Sequence, residues 1–176
     1  MPRRSGRTRE DIREVALELI AERGFEQTSF RDIAERLDIT KQAVQYHFSS
    51  KDALIDELIR PMIVDLEAFL GEATEAGAER PRLILELYLD LLHRHRQILQ
   101  GLIRDHSALA RHDVIHTLLH ERSGLDELLV GTRPADRTRA IVALGGLQDC
   151  AVLLADVPLA EYRRSAVDSA LRALTP

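Results

Sequence analysis

The chain has 176 residues, with 24 Lys and Arg against 29 Asp and Glu, and is 45% hydrophobic and 30% charged. This excludes an intrinsically disordered polymer and leaves enough chain for a core without disulfides or metal. One cysteine, Cys150, makes no intrachain bridge, and no apolar run reaches the ~18 residues of a membrane span, so a soluble protein of the reducing cytoplasm, without a membrane partner, is expected.

Helical periodicity runs through the chain, predicting an all-α fold. A first helix is marked by the capping-box spacing of Thr8 and Asp11, by Ile12, Val15, Ala16, Leu19 and Ile20 on one face, and by Gly24 at its end. Thr28 or Ser29 caps a short second helix, with Ser29 and Asp32 again at capping-box spacing and Phe30, Ile33, Ala34 and Leu37 facing inward. The pattern breaks at Asp38-Ile39 and restarts at Thr40, giving a third helix to about Phe48. Two short helices joined by about three residues read as helix-turn-helix.

At ~100° per residue, Lys41, Gln42, Gln45 and Tyr46 share one arc opposite Ala43, Val44 and His47. Glutamine can bridge N6 and N7 of adenine, lysine reaches guanine or a phosphate, and Thr40 can donate to a phosphate. The alternative is a solvated helix face. Upstream, Arg3, Arg4, Arg7 and Arg9 form a basic arm, while residues 52–176 carry 14 basic and 20 acidic side chains. A basic arm on an acidic body suits a polyanion partner for the N-terminal part, and equally a solubilising tail.

The string from Thr28 to Leu54, with Arg31-Asp32-Ile33-Ala34 and above all Tyr46-His47-Phe48 followed by Lys51 and Leu54, resembles the tetracycline-repressor (TetR) family of bacterial transcription regulators. The resemblance covers roughly residues 8–54. It departs at Asp38, where the family usually has glycine in the turn, and at Gln45, usually aromatic there. Asp tolerates the left-handed conformation, so the turn is expected to be kept. The resemblance implies that Ser29 and Arg31 lie against DNA backbone or a base edge. It further implies that Thr40, Lys41, Gln42 and Gln45 face the major groove and that Tyr46, His47 and Lys51 hold phosphates. For His47 the alternative is a packing role on the inner side of the helix.

Residues 50–176 read as about six helices. One starts near Ser50, with Leu54, Leu58, Met62, Leu66 and Phe69 on one face and with Pro61 expected to kink it or end it early. Others are predicted at about 81–94, 97–108, 113–130, 135–155 and 159–174. The stretch from Ala140 to Ala155 is apolar almost all round, which implies a second packing partner or the central helix of a monomer. Small residues, Gly145 on that helix and Ala166 and Ala170 on the last, allow close approach. By the resemblance, the last two helices form a homodimer interface, assigned to Leu144, Gly145, Leu153, Ala166 and Ala170. His93, Gln97, His116, Gln148 and Cys150 are candidate polar groups of an effector pocket. His112, His116 and His120 repeat at the spacing of a metal pair, but further ligands are lacking, so no metal and no cofactor are expected.

No phosphate loop, dinucleotide fingerprint, zincin motif or nucleophile elbow occurs, which disfavours an enzyme. The expectation is a repressor with a helix-turn-helix domain on residues 1–49 and a helical effector-binding and dimerisation domain on 50–176. It binds a palindromic double-stranded operator and is released by a small-molecule effector. The alternatives are a helical ligand-binding or scaffolding dimer whose DNA head has no function and, behind it, a metal-responsive sensor.

Overall fold

The computed structural model describes residues 5–105 and 124–175, with side chains from residue 8 onward. The described residues are helical, with no strand among them: α1 (Ser5–Arg23), α2 (Phe30–Leu37), α3 (Lys41–His47), α4 (Lys51–Ala76), α5 (Pro81–Arg94), α6 (Arg96–Arg104), a helical stretch at 124–130, α7 (Pro134–Leu153) and α8 (Leu159–Leu174). No helix among them is long and apolar enough to cross a membrane.

The described chain forms two compact units. The first holds residues 5–62 and 97–105; the second holds residues 63–96 and 124–175. In the first unit, Ile12, Ala16, Leu19 and Ile20 of α1 are buried as expected, and Val15 is half-buried. α1 begins at Ser5, so Thr8 lies inside the helix and is not its cap: no proline between residues 5 and 8 stops the helix from extending upstream. Ser29, not Thr28, caps α2. Its hydroxyl accepts from the Asp32 N–H at 3.3 Å, while the Ser29 N–H donates to the Asp32 carboxylate at 3.0 Å. Thr28 is buried and donates its hydroxyl to the Gly24 carbonyl at 2.9 Å.

Asp38 ends α2 in the left-handed region, φ 53° and ψ 46°, the one non-glycine residue with positive φ among those described. Its N–H reaches the Glu35 carbonyl at 3.4 Å and the Ile39 N–H reaches the Ala34 carbonyl at 3.0 Å, the double closure of a Schellman end. Replacing Asp38 by glycine is expected to leave stability within about 1 kcal/mol of wild type or raise it. A β-branched Asp38→Val should lower it by about 1–2 kcal/mol, read from urea unfolding. Equal midpoints for the two variants would contradict a left-handed turn.

α4 runs unbroken through Pro61 to Ala76, contrary to the expected early end. The proline leaves the Glu57 carbonyl without its usual donor, but Leu58, Met62, Leu66 and Phe69 are all buried on one face, and that burial outweighs one lost bond. In the first unit, α6 approaches α1 at a glycine. A Cβ on Gly101 would lie 2.4 Å from the Ile20 Cγ2 and 3.1 Å from the Phe25 ring. Beyond it, the Asp105 carboxylate accepts the Glu26 N–H at 2.7 Å, so the end of α6 closes the turn between α1 and α2.

In the second unit, α5, α7 and α8 pack on one another. Ile84, Leu85 and Leu89 meet Ala143, Leu144, Leu147 and Val167 in a core of residues at most 2% exposed. Arg163 grips Asp90 with two bonds of 3.0 and 2.9 Å, and Arg82 reaches Asp168 at 2.7 Å, tying α5 to α8 at its surface.

Candidate nucleic-acid interface

α3 is short, and its orientation is set by what it buries. Val44 is wholly buried and Phe48, just after the helix, is 2% exposed, while Ala43 and His47 are half-buried on the same side. The opposite arc carries Lys41, Gln42, Gln45 and Tyr46, all exposed, with Tyr46 at 83%. The four polar positions predicted to share a face therefore do so. Thr40 stands at the N-terminal end of that face, exposed, its hydroxyl accepting the Ala43 N–H at 3.2 Å. The His47 ring is half-buried on the inner side of the helix and meets the exposed Tyr46 ring edge-on at 5.3 Å.

Arg9 holds this end of the unit together. Its guanidinium donates to the His47 carbonyl at 2.9 Å and to the Glu57 carboxylate at 3.2 Å and by a second bond, and stacks 4.5 Å from the Phe48 ring centroid. The Arg9 hydrogen bond keeps the Glu57 carboxyl below its ordinary range. Arg9 is an exposed side chain with three donors engaged within its own unit, a tie that the basic arm's composition does not disclose. Nothing in the sequence separates it from Arg7; the Glu57 partner lies in a helix whose register against α1 is a tertiary outcome. Arg3 and Arg4 lie outside the described residues.

The remaining candidates sit nearby in the chain with their own ties. Ser29 is exposed but donates its hydroxyl to Asp32, and that bond holds the Asp32 carboxyl below the usual range. Arg31 is exposed and pairs with Glu35 at 2.8 Å one turn on. Lys51 is half-buried, and its Nζ donates to the Glu26 carbonyl at 2.9 Å; burial pulls its ammonium below the ordinary lysine range. Lys51→Met should therefore cost about 1–3 kcal/mol of stability, from the lost charge-assisted bond, in thermal unfolding without DNA. A lysine acting on phosphate alone would show no such loss.

Of the candidate effector residues, His93, Gln148 and Cys150 lie in the second unit. His93 shares a 2.9 Å hydrogen bond with the Tyr162 hydroxyl, and burial lowers its pKa. Gln148 and Cys150 are half-buried, and burial raises the Cys150 thiol. Gln97 belongs to the other compact unit, and His116 lies outside the described residues, as do His112 and His120. Among the described residues no group of His, Cys, Asp and Glu is arranged to hold a metal.

Cys150 lines the open groove of about 350 Å3 between α7 and α8, walled also by Val142, Gly146, Tyr162, Ala166 and Ala170, and the Tyr162 hydroxyl links that wall to His93. Beside it Leu153 is 79% exposed and Val142 59%. Leu144 differs from its expected place: it is fully buried in its own unit and unavailable to a partner, because it falls on the face of α7 that packs inward with Ala140, Ala143 and Leu147. Gly145 is half-buried.

Comparison with known proteins bears on the first unit most directly. The family described as bacterial regulatory proteins, tetR family, matches residues 12–58. An HTH-type transcriptional repressor, KstR2 of Rhodococcus jostii, is 31% identical over 121 residues, covering 68% of this chain and 55% of that protein. The chain spans about half the length of the curated relatives it matches first. Among solved structures, a transcriptional regulator from Rhodococcus sp. Rha1 aligns with a TM-score of 0.65 at 26% identity, over 94% of this chain and 95% of that one. The ketosteroid transcriptional regulator KstR2 of Mycobacterium tuberculosis shares the fold at a TM-score of 0.68 and 19% identity, over 95% and 93%.

Proposed function

We propose, because residues 12–58 match the tetR family of bacterial regulatory proteins, that the chain is a sequence-specific DNA-binding transcription regulator of that family, acting as a repressor and not as an enzyme. The observation that carries this reading is the α3 face: Lys41, Gln42, Gln45 and Tyr46 all project to solvent from a helix whose opposite side is locked by Val44 and Phe48. A solubilising face needs charge, and this one is mostly uncharged, long-armed and able to hydrogen-bond. That is the chemistry for the major groove at Thr40, Lys41, Gln42 and Gln45, with Tyr46, His47 and Lys51 holding phosphates and Ser29 and Arg31 against the backbone or a base edge.

Residues 1–49 form the DNA-binding domain in this reading, and residues 50–176 bind a small-molecule effector and dimerise. The apolar groove of α7 and α8, lined by exposed Val142 and by the small Gly146, Ala166 and Ala170, with exposed Leu153 on the same helix, is the surface for a second copy. A two-fold dimer presents two α3 faces to half-sites about one helical turn apart, ~34–36 Å, which makes the operator a palindrome. The effector releases DNA by favouring a conformation in which the two α3 helices no longer match that spacing.

The test is selection of the full chain against a randomised duplex pool at ~150 mM salt, where specific binding stands clear of backbone attraction. An enriched palindrome is the expected result. Binding that is equal on all sequences would reject the reading.

A further inference from the structure

We infer that Gln42 and Gln45 read two adjacent A·T base pairs in each half-site, one adenine to each glutamine. The inference rests on the DNA-binding reading above and narrows it to a class of sequence. Both side chains are exposed on the α3 face, and within the described residues neither makes a hydrogen bond to the rest of the chain, so both amides are available to a ligand. Lys41 and Tyr46 on the same face are likewise exposed, but the remaining charged and hydroxyl candidates of the unit are engaged. Arg31 is engaged by Glu35, Ser29 by Asp32, Lys51 by the Glu26 carbonyl and Arg9 by Glu57 and the His47 carbonyl.

A glutamine amide carries an acceptor and a donor side by side. In the major groove, adenine alone offers one of each to match, N7 accepting and N6–H donating; guanine shows two acceptors there, and the pyrimidine edges lack the pair. The spacing decides the neighbourhood. Residues three apart on a helix are displaced by about 4.5 Å along its axis and lie on the same side. Base pairs succeed one another every ~3.4 Å. Two short-reach amides with that displacement meet successive steps, not one base pair and not pairs half a turn apart. Gln45 is also the position where this chain departs from the aromatic residue usual in the family it resembles. An aromatic ring there has no donor and acceptor pair to offer, so the second A·T requirement belongs to this chain's own glutamine.

The experiment uses the full chain and the same randomised pool, then repeats the selection with Gln42→Ala and Gln45→Ala. Both positions are exposed, so the variants keep their helical circular dichroism and thermal midpoint, which is checked first. With the wild-type chain, each enriched half-site contains two adjacent A·T pairs. Gln42→Ala relaxes the preference at one of them and Gln45→Ala at the other, each losing roughly 5- to 100-fold discrimination. Placing 7-deazaadenine at either position removes the N7 acceptor while keeping the base pair. It weakens the wild-type chain by roughly 3- to 10-fold, and has no effect on the variant lacking the matching glutamine. An enriched palindrome without adjacent A·T pairs, or one whose A·T preference survives both substitutions, overturns this assignment and leaves the regulator reading standing. No enriched sequence at all overturns both.

Discussion

Gly101→Ala is expected to lower the thermal midpoint by about 2–10 °C, although alanine is the better helix former. The added methyl would lie 2.4 Å from the Ile20 Cγ2, 3.1 Å from the Phe25 ring and 3.2 Å from the Ile20 carbonyl oxygen. Ile20 and Phe25 are 2% and 1% exposed. A β-branched side chain in a filled core has no empty rotamer to move into, so α6 must shift away from α1 at a cost of about 1–3 kcal/mol. Gly71 provides the control. It too is helical, but a Cβ there meets nothing within 4 Å, so Gly71→Ala should stabilise the chain by up to about 1 kcal/mol. The two alanines thus move the midpoint in opposite directions in a calorimetric scan. If both raise it, α6 does not press on α1 as the structure has it. A double variant with Ile20→Ala should be less damaging than the two changes added together, since the first makes room for the second.

Leu153→Asp is expected to weaken self-association by at least about 100-fold. The side chain is 79% exposed on α7 beside the groove shared with α8, where small residues leave room for another helix to approach. A two-fold contact buries it twice, and each leucine contributes about 1.5–3 kcal/mol of burial that a carboxylate reverses. Because the residue is exposed in the single subunit, helicity by circular dichroism should hold while sedimentation velocity reports the smaller species. Operator affinity should fall with it, because each monomer then grips one half-site alone. An unchanged sedimentation coefficient across micromolar concentrations would remove α7 from the interface.

What the sequence discloses depends on whether the deciding interactions are local. The span of α5 from Pro81 to Arg94 and that of α8 from Leu159 to Leu174 coincide with expectation, because a proline opens one and the apolar period bounds the other. The Ser29–Asp32 capping box, the left-handed Asp38 and the two sides of α3 are equally legible, each settled within one or two helical turns. Misplaced features are those decided by distant packing. Thr8 carries a good capping signal that upstream helix overrides, Pro61 a breaking signal that a continuous buried face overrides, and α6 stops at Arg104 where periodicity ran on to 108.

Within the candidate site, the α3 side chains could be named from their arc alone. Arg9, Glu57 and Gly101 could not, since each acquires its role from a partner about 40 to 80 residues away in the chain. A glycine alone inside an amphipathic helix was the one available hint for Gly101. Leu144 shows the complementary limit: on a helix apolar all round, composition does not say which side faces the chain's own core and which faces outward.

The Arg9 clamp has a practical corollary for handling the protein. The last turn of α3 is held by a side chain from the early turns of α1, so proteolysis that removes those turns acts at once on the helix that carries the exposed glutamines. A preparation clipped after Arg9 retains the buried Ile12, Ala16, Leu19 and Ile20 of α1 while presenting a loosened α3. Mass spectrometry that shows Arg9 still joined to the rest of α1 is therefore the control for any loss of DNA binding on storage.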